Sequence, residues 1–329
     1  MIHIGWMVRG LRLLASIRLT IFYLVGLAIG AALSYDNPED VSIWVLVIPL
    51  ALLATNLLAA ILSNPRINRR PGLCIFHLGL LGIVVLAAYG RLTHLDARVE
   101  LVVGEPFSAD NVFELRPGPW HQNRLDQVHF VQGPYTVDYS ANLVRGLTHS
   151  TLYLADKTVD VGDDRPLVQN GYRFYTSFNK GFAPILTWTD LKGHSIQGAV
   201  HMPAYPIYEY KQAQHWAPPG TTLDIGLWLR LKTAMDQKKA WVLSREGSTG
   251  ILVVDAEGRR VELRPGETVH LKEGSLRYDE LRMWMGYKIF YDPTLHALFF
   301  CAMLAVAGLG AHFWRYFGIH PKALQQRRL

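Results

Sequence analysis

Cysteine is nearly absent: the 329-residue chain has two, Cys74 and Cys301. Both lie inside apolar runs, so no disulfide framework is expected, and residues 93–290 have no cysteine at all. That stretch must hold together by its own core. Acidic residues are missing from three segments. Arg9, Arg12 and Arg18 open the chain, Arg66, Arg69 and Arg70 follow the second apolar run, and Arg315, Lys322, Arg327 and Arg328 close it. These ten basic residues leave 23 basic against 27 acidic elsewhere. The net charge of +6 is therefore a membrane-topology signal, and it gives no footprint for nucleic acid. Also absent are G-x-S-x-G, a Walker loop, H-E-x-x-H and C-x-x-C, which removes the signatures of common hydrolases, nucleotide-binding proteins and redox enzymes. No internal repeat or low-complexity tract is present.

What is present is two different materials. Half the residues are hydrophobic, yet the mean hydropathy is only +0.11, because apolar runs alternate with a long polar, Gly- and Pro-punctuated segment. A bilayer core needs about 20 apolar residues of helix. Four runs qualify, at about 18–35, 41–62, 73–90 and 295–317, with Leu11 to Leu14 as a possible interfacial turn and Pro49 as a kink in the second. A cleaved signal peptide is the rival reading of the first run. A second full run follows within a few residues and no clean A-x-A site separates them, which favours a span. The loop 35–40 carries Asp36, Glu39 and Asp40, whereas the loop 63–72 carries three arginines. Positive loops stay in the cytoplasm, so both termini are expected inside and residues 91–294 outside. The expected division is three spans in 1–92, an extracytoplasmic domain in 93–290, and a last span with a basic tail in 291–329.

The outer segment reads as strands. Arg98 to Val103 alternates polar and apolar, as does STLYLADKTVDV at 150–161, and Tyr172 to Phe178 is aromatic at period two. Short strands are expected at Gly250 to Val254, Arg260 to Leu263 and Thr268 to Leu271. Asp224 to Lys239 reads as one helix, and Met202 to Gly220 as a loop. The fold class is thus a four-helix integral membrane protein with a large β-rich, sandwich-like outer domain. Its histidines (His94, His121, His129, His149, His194, His201, His215 and His270) are scattered, and their spacing supports no metal site.

The third run, LCIFHLGLLG at 73–82, carries the candidate chemistry. An ionisable group inside a span is costly and usually faces a partner or cavity. His77 lies four residues in from the expected start, and an imidazole is a good axial ligand for haem iron. The plainer reading is a histidine bonded to a neighbouring helix. Cys74 sits three residues earlier on the same face, either as a small packing residue or as a haem contact. Gly79 and Gly82 would let a helix or a flat macrocycle approach closely. In the fourth run His296 is near the outer end and His312 near the inner end, at an expected depth similar to His77. A His77–His312 pair is therefore geometrically possible; the plainer reading makes His296 and His312 interfacial anchors, beside the aromatic belt of Trp314 and Tyr316.

Three stretches carry a family resemblance: FHLGLLGIVVLAAYGRLTHLDARVELVVGE at 76–105, RPLVQNGYRFYTSF at 165–178 and YDPTLHALFFCAMLAVAGLGAHFW at 291–314. With the layout of three spans, an outer β domain and one span, the chain resembles the ResB/CcsB family of system II cytochrome c biogenesis. It departs from that pattern at Asp292-Pro293-Thr294, where the family often has Asp-Pro-Gly. The resemblance implies a subunit that, with a CcsA/ResC-type partner, moves haem b across the inner membrane and supports its attachment to apocytochrome c. It also implies that His77 is the intramembrane haem ligand. The chain lacks a Trp-rich WWD segment, which belongs to that partner, so it is not expected to complete the reaction alone. Two other readings stand beside this one: a scaffold whose outer domain docks a partner without binding cofactor, and a transporter, which the lack of an inverted repeat disfavours.

Overall fold

The computed structural model describes residues 10–36, 40–208, 211–232, 237–245 and 249–317, the last three without their side chains. Glu39, Arg9, Lys322, Arg327 and Arg328, and the side chains of Arg315 and Tyr316, lie outside the described residues. The chain forms two compact units, the helices with residues 117–122 and the β-rich region.

The first unit contains four helices long and apolar enough to cross a membrane: Ile17–Asp36, Trp44–Ser63, Pro71–Thr93 and Leu295–Phe317. They are called spans 1 to 4 below. Residues 10–14 form a separate helical turn before span 1, and the break between them is held from span 2. Asn56, buried at 5% exposure, donates its amide to Leu14 O at 2.5 Å and Ser16 O at 3.2 Å, and accepts the Thr20 hydroxyl at 2.7 Å. Carbonyls freed where a helix stops have no water to turn to at that depth, and one asparagine supplies the missing donors. Between spans 2 and 3 the arginine loop folds into a short helix, Pro65–Asn68, whose first turn is capped by Asn64 accepting from Arg66 N–H at 3.0 Å. Span 3 starts at Pro71 rather than near 73, because proline at the first helical position loses nothing by lacking an N–H.

Spans 3 and 4 meet along a seam of small residues. A Cβ on Gly79 would lie 2.7 Å from Ala305 N and 2.8 Å from Cys301 O, and one on Gly308 would lie 2.5 Å from Phe76 N. A Cβ on Gly72 would lie 2.6 Å from His312 N, and one on Gly82 2.5 Å from Cys301 Sγ. Lipid tails are as apolar as leucine, so close backbone approach replaces the hydrophobic effect as the source of helix association here. Span 4 begins with Asp292 accepting from Thr294 N–H at 2.8 Å and from its hydroxyl at 2.6 Å. That carboxylate answers the positive helix end, and Thr294 adds a second donor that a glycine would lack.

The β-rich unit is three antiparallel sheets. The seven-stranded sheet runs β2 (Phe113–Pro117), β1 (Leu95–Val102), β15 (Gly274–Tyr291), β7 (Tyr172–Asp190), β6 (Leu167–Gln169). At its margins β14 (Thr268–Leu271) pairs with β15 and β8 (Ser195–Ala199) with β7. Its spine is the long β7–β15 ribbon, paired from Gly274 opposite Asp190 to Tyr291 opposite Tyr172 with register shifts between Tyr278 and Glu280 and between Met285 and Tyr287. The β6–β7 hairpin turns at Asn170-Gly171, both at positive φ, where these two residue types pay least. A second sheet, β11 (Trp241–Leu243), β3 (Val131–Ser140), β4 (Val144–Tyr153), β5 (Thr158–Gly162), lies against this one. The two meet through buried Gln132, Ser150 and Tyr287, and through Tyr135, whose hydroxyl donates to Trp284 O at 2.8 Å. The third sheet is β13 (Arg259–Leu263), β12 (Gly250–Ala256), β10 (Ile225–Leu231), β9 (Ala213–Trp216).

Two expectations are corrected. Of the helix expected at Asp224 to Lys239, residues 225–231 are strand β10, and residues 233–236 lie outside the described residues: Ile225, Leu227 and Leu229 are buried while Trp228 and Arg230 are exposed, so the side chains alternate at period two. The loop expected at Met202 to Gly220 contains β9, which pairs along β10 from Ile225 opposite Trp216 to Trp228 opposite Ala213. The alternating tract at 150–161 is two strands, because residues 154–157 turn back with Leu154 N–H donating to Lys157 O at 2.8 Å.

Candidate functional site

Span 3 presents His77 six residues after its first residue, about 9 Å along the helix axis. The imidazole is half-buried, set edge-on to Phe76 with ring centres 5.1 Å apart. Its Nδ1 lies 2.7 Å from Leu73 O. A carbonyl oxygen only accepts, so Nδ1 carries the proton and, in the neutral ring, Nε2 carries the lone pair. That tautomer, fixed by a backbone carbonyl through the other ring nitrogen, is the arrangement that orients metal-ligating histidines.

The helical wheel separates His77 from the small-residue seam. Gly72, Phe76 and Gly79 mark the face toward span 4, and His77 lies about 130° round the helix from its centre. Cys74 is half-buried, about 60° from His77 and likewise turned away from span 4. Neither cysteine is in a disulfide. The gap that Gly79 leaves is filled by Ala305 and the Cys301 carbonyl of span 4, and the gap at Gly82 by the Cys301 side chain.

His312 is placed otherwise. Its backbone lies against Gly72, on the seam itself, and its ring is half-buried with Phe313 5.2 Å away. The seam pairs Gly72 with His312 and Phe76 with Gly308, so His312 is about five residues, or 7–8 Å, from the level of His77. The structure therefore does not bring the two imidazoles onto one face at one depth. His296 is exposed near the start of span 4, and Trp314 is 80% exposed near its other end, in the position of an interfacial ring.

Among the described residues no three His, Cys, Asp or Glu side chains gather to hold a metal ion. Several histidines of the β region are taken up singly. His201 meets Glu100 at 3.1 Å and stacks on Trp284, His194 meets Asp190 at 3.1 Å, and His215 meets Asp224 at 3.1 Å. His121 donates from Nδ1 to Thr93 O at 2.9 Å, tying residues 117–122 to the end of span 3.

Sequence reading missed a cationic cluster in the β region. Lys180 is 1% exposed and donates one long bond, 3.4 Å, to Phe178 O. Removal from water, with Arg145 nearby, pushes its ammonium down from 10.5 to about 8. The only sequence signal is Lys180, followed by the apolar run Gly181 to Ile185.

No protein-family model matches the chain, and no curated protein is similar to it. One solved structure with similarity is described as Cytochrome c Heme Lyase CcmF: 11% identical, with a TM-score of 0.29, over 91% of this chain and 35% of that one. The chain thus spans about a third of the length of that protein. At that score backbones do not superpose closely enough to align residues, and no role is carried across.

Proposed function

We propose that this multi-pass protein is a haem-handling subunit of cytochrome c biogenesis, working with a CcsA/ResC-type membrane partner. One observation supports the reading most: His77 lies within span 3, turned away from span 4, with Nδ1 2.7 Å from Leu73 O, a tautomer that leaves the lone pair on Nε2. The resemblance of residues 76–105, 165–178 and 291–314 to the ResB/CcsB family supports it, as does the order of three spans, β region and last span. On this reading both termini are cytoplasmic, the β region (93–290) faces the outside of the inner membrane, and apocytochrome c is the acceptor. Haem b is cargo, shared with the partner subunit. Its iron would take His77 from this chain, with the second ligand from the partner, because His312 lies on another face and at another level. Cys74 flanks the same face and would contact the cargo. Haem supplies the vinyl groups that become thioethers. This chain supplies position, which is most of what such a reaction asks of protein. The chain is a non-autonomous part of a synthase.

The test is a visible spectrum of the co-purified complex. His77→Gly should lose its Soret band while the partner still co-purifies, and added imidazole should restore the band. An unchanged spectrum together with unchanged cytochrome c yield would leave the scaffold reading in its place.

A further inference from the structure

The β region holds a ring of buried donors with too few acceptors. Arg145, Tyr139 and Trp241 form a row across β4, β3 and β11, since Tyr139 is the register partner of both others. Tyr139 and Trp241 stack with centres 4.8 Å apart, and Tyr205 stands 6.1 Å from Trp241. Tyr205 N–H donates to Lys180 O at 2.8 Å, which brings β7 to the row. Phe178 closes the ring, with the Arg145 guanidinium carbon 4.5 Å and Lys180 Nζ 5.9 Å from its centre.

Among the described residues, Arg145 and Lys180 place two positive charges near the one negative charge of Asp163. Asp163 is already taken: it accepts from Arg145, from Thr148 N–H at 3.0 Å and from the Thr176 hydroxyl at 3.0 Å. Among the described residues Arg145 Nε and Trp241 Nε1 are buried and meet no acceptor. Lys180 has only its 3.4 Å carbonyl. Buried donors without acceptors cost stability, and that cost falls on Arg145 Nε, which shares the Phe178 ring with the Lys180 ammonium, and on Trp241 Nε1 in the same row.

The cover is also particular. Phe178 is 67% exposed although it is a large apolar ring, and it lies where the β7–β15 register breaks between Met285 and Tyr287. Residues 177–179 bulge within β7 there, with Asn179 N–H donating to Ser177 Oγ at 3.1 Å. A bulged residue outside the ladder swings without breaking sheet hydrogen bonds.

We propose that Arg145, Lys180 and Trp241 form a carboxylate-binding site in the β region, covered by the Phe178 ring. A carboxylate fits better than a dianion, since the cluster has one net positive charge to offer. Planar oxygens suit the guanidinium edge, the indole N–H and the ammonium. The proposal does not rest on the haem reading.

The experiment uses the full chain in detergent, with the change in tryptophan fluorescence read during titration. The probe is propionate, against propionamide at matched ionic strength. Propionate should give a saturable change and propionamide none. Lys180→Met should weaken propionate by about tenfold or more, as loss of a charged hydrogen bond does. Phe178→Ala should strengthen it by removing the cover. Equal responses to propionate and propionamide overturn the proposal, and so does a Lys180→Met chain that binds propionate as the wild type does. Should Lys180→Met fail to fold, Phe178→Ala decides: an unchanged affinity overturns it. A capped peptide with one Asp, against its Asn twin, then separates a polypeptide carboxylate from a free small acid.

Discussion

Replacing Tyr287 by phenylalanine tests what joins the two largest sheets. Tyr287 is 1% exposed, and its hydroxyl donates to Gln132 Oε1 at 2.7 Å. Ser150 Oγ lies 2.7 Å from the same hydroxyl, and Gln132 Nε2 donates to Ser150 Oγ at 3.0 Å. With the phenol proton spent on Gln132, serine must donate to the phenol, so the three groups form a closed ring of donors and acceptors. Burial pushes the Tyr287 phenol well above its ordinary range, so it stays a donor at any working pH. Phenylalanine keeps the ring volume and removes one oxygen. Gln132 Oε1 and the Ser150 proton are then orphaned where water does not reach, at about 1–2 kcal/mol each, or about 2–4 kcal/mol in all. Ser150→Ala is gentler. The Tyr287–Gln132 bond survives, and Gln132 Nε2 still reaches Gly133 O at 2.8 Å. The expected order is therefore Tyr287→Phe well above Ser150→Ala, with a double-mutant cost below the sum of the two. Hydrogen exchange at the β3 and β4 amides of the full chain reads the local opening energy, alongside the thermal midpoint. A Tyr287→Phe cost below about 1 kcal/mol, or the reverse order, refutes the ring as the joint between the sheets.

Lys180→Met should stabilise the ligand-free protein at pH 7 by about 3 kcal/mol, because the folded ammonium has fallen from 10.5 to about 8. Between pH 8 and 10.5 the unfolded lysine still holds a proton the folded one has lost, so wild-type stability rises with pH. The gap to the methionine variant should close across that window; thermal midpoints at pH 7 and 10 that keep the same gap would contradict this. Gly308→Leu places a side chain where a Cβ would already be 2.5 Å from Phe76 N, so spans 3 and 4 should separate. Disulfide trapping between cysteines placed at residues 79 and 305 should then fall severalfold. Asn56→Leu removes the donors to Leu14 O and Ser16 O and should cost about 1–3 kcal/mol, read as faster proteolysis near residues 10–16 in detergent.

The sequence made the four spans and most strands legible because each obeys one period over its own length. Arg98 to Val103 and Tyr172 to Phe178 alternate because one face meets a core and the other meets solvent or a neighbouring sheet. The failure at Asp224 to Lys239 has a local cause. Ile225 to Leu231 alternates at period two, but it runs into Lys232, Lys238 and Lys239, whose polarity and helix propensity made the longer window resemble an amphipathic helix. The strand is decided by its partners: β12, which comes two strands later, and β9, which precedes it but lies in a stretch that reads as a loop.

The same distinction governs the candidate site. His77 was legible because an imidazole in an apolar run is costly wherever it points. Its direction was not legible, since that depends on which face of span 3 meets span 4. Read alone, Gly79 and Gly82 fit a macrocycle as well as a helix. Only the partners of those glycines, Ala305 and the Cys301 backbone and sulfur, show that the close approach is between helices. That one contact has two consequences. It places His312 on the seam, and it turns His77 toward the other side of its helix. On the proposed haem reading, moving the histidine to the seam, as His77→Leu with Gly79→His, would therefore displace span 4 rather than rebuild a haem ligand. The visible spectrum of that variant should match His77→Leu alone, and a recovered Soret band would show that the seam, not the opposite face, receives the cargo.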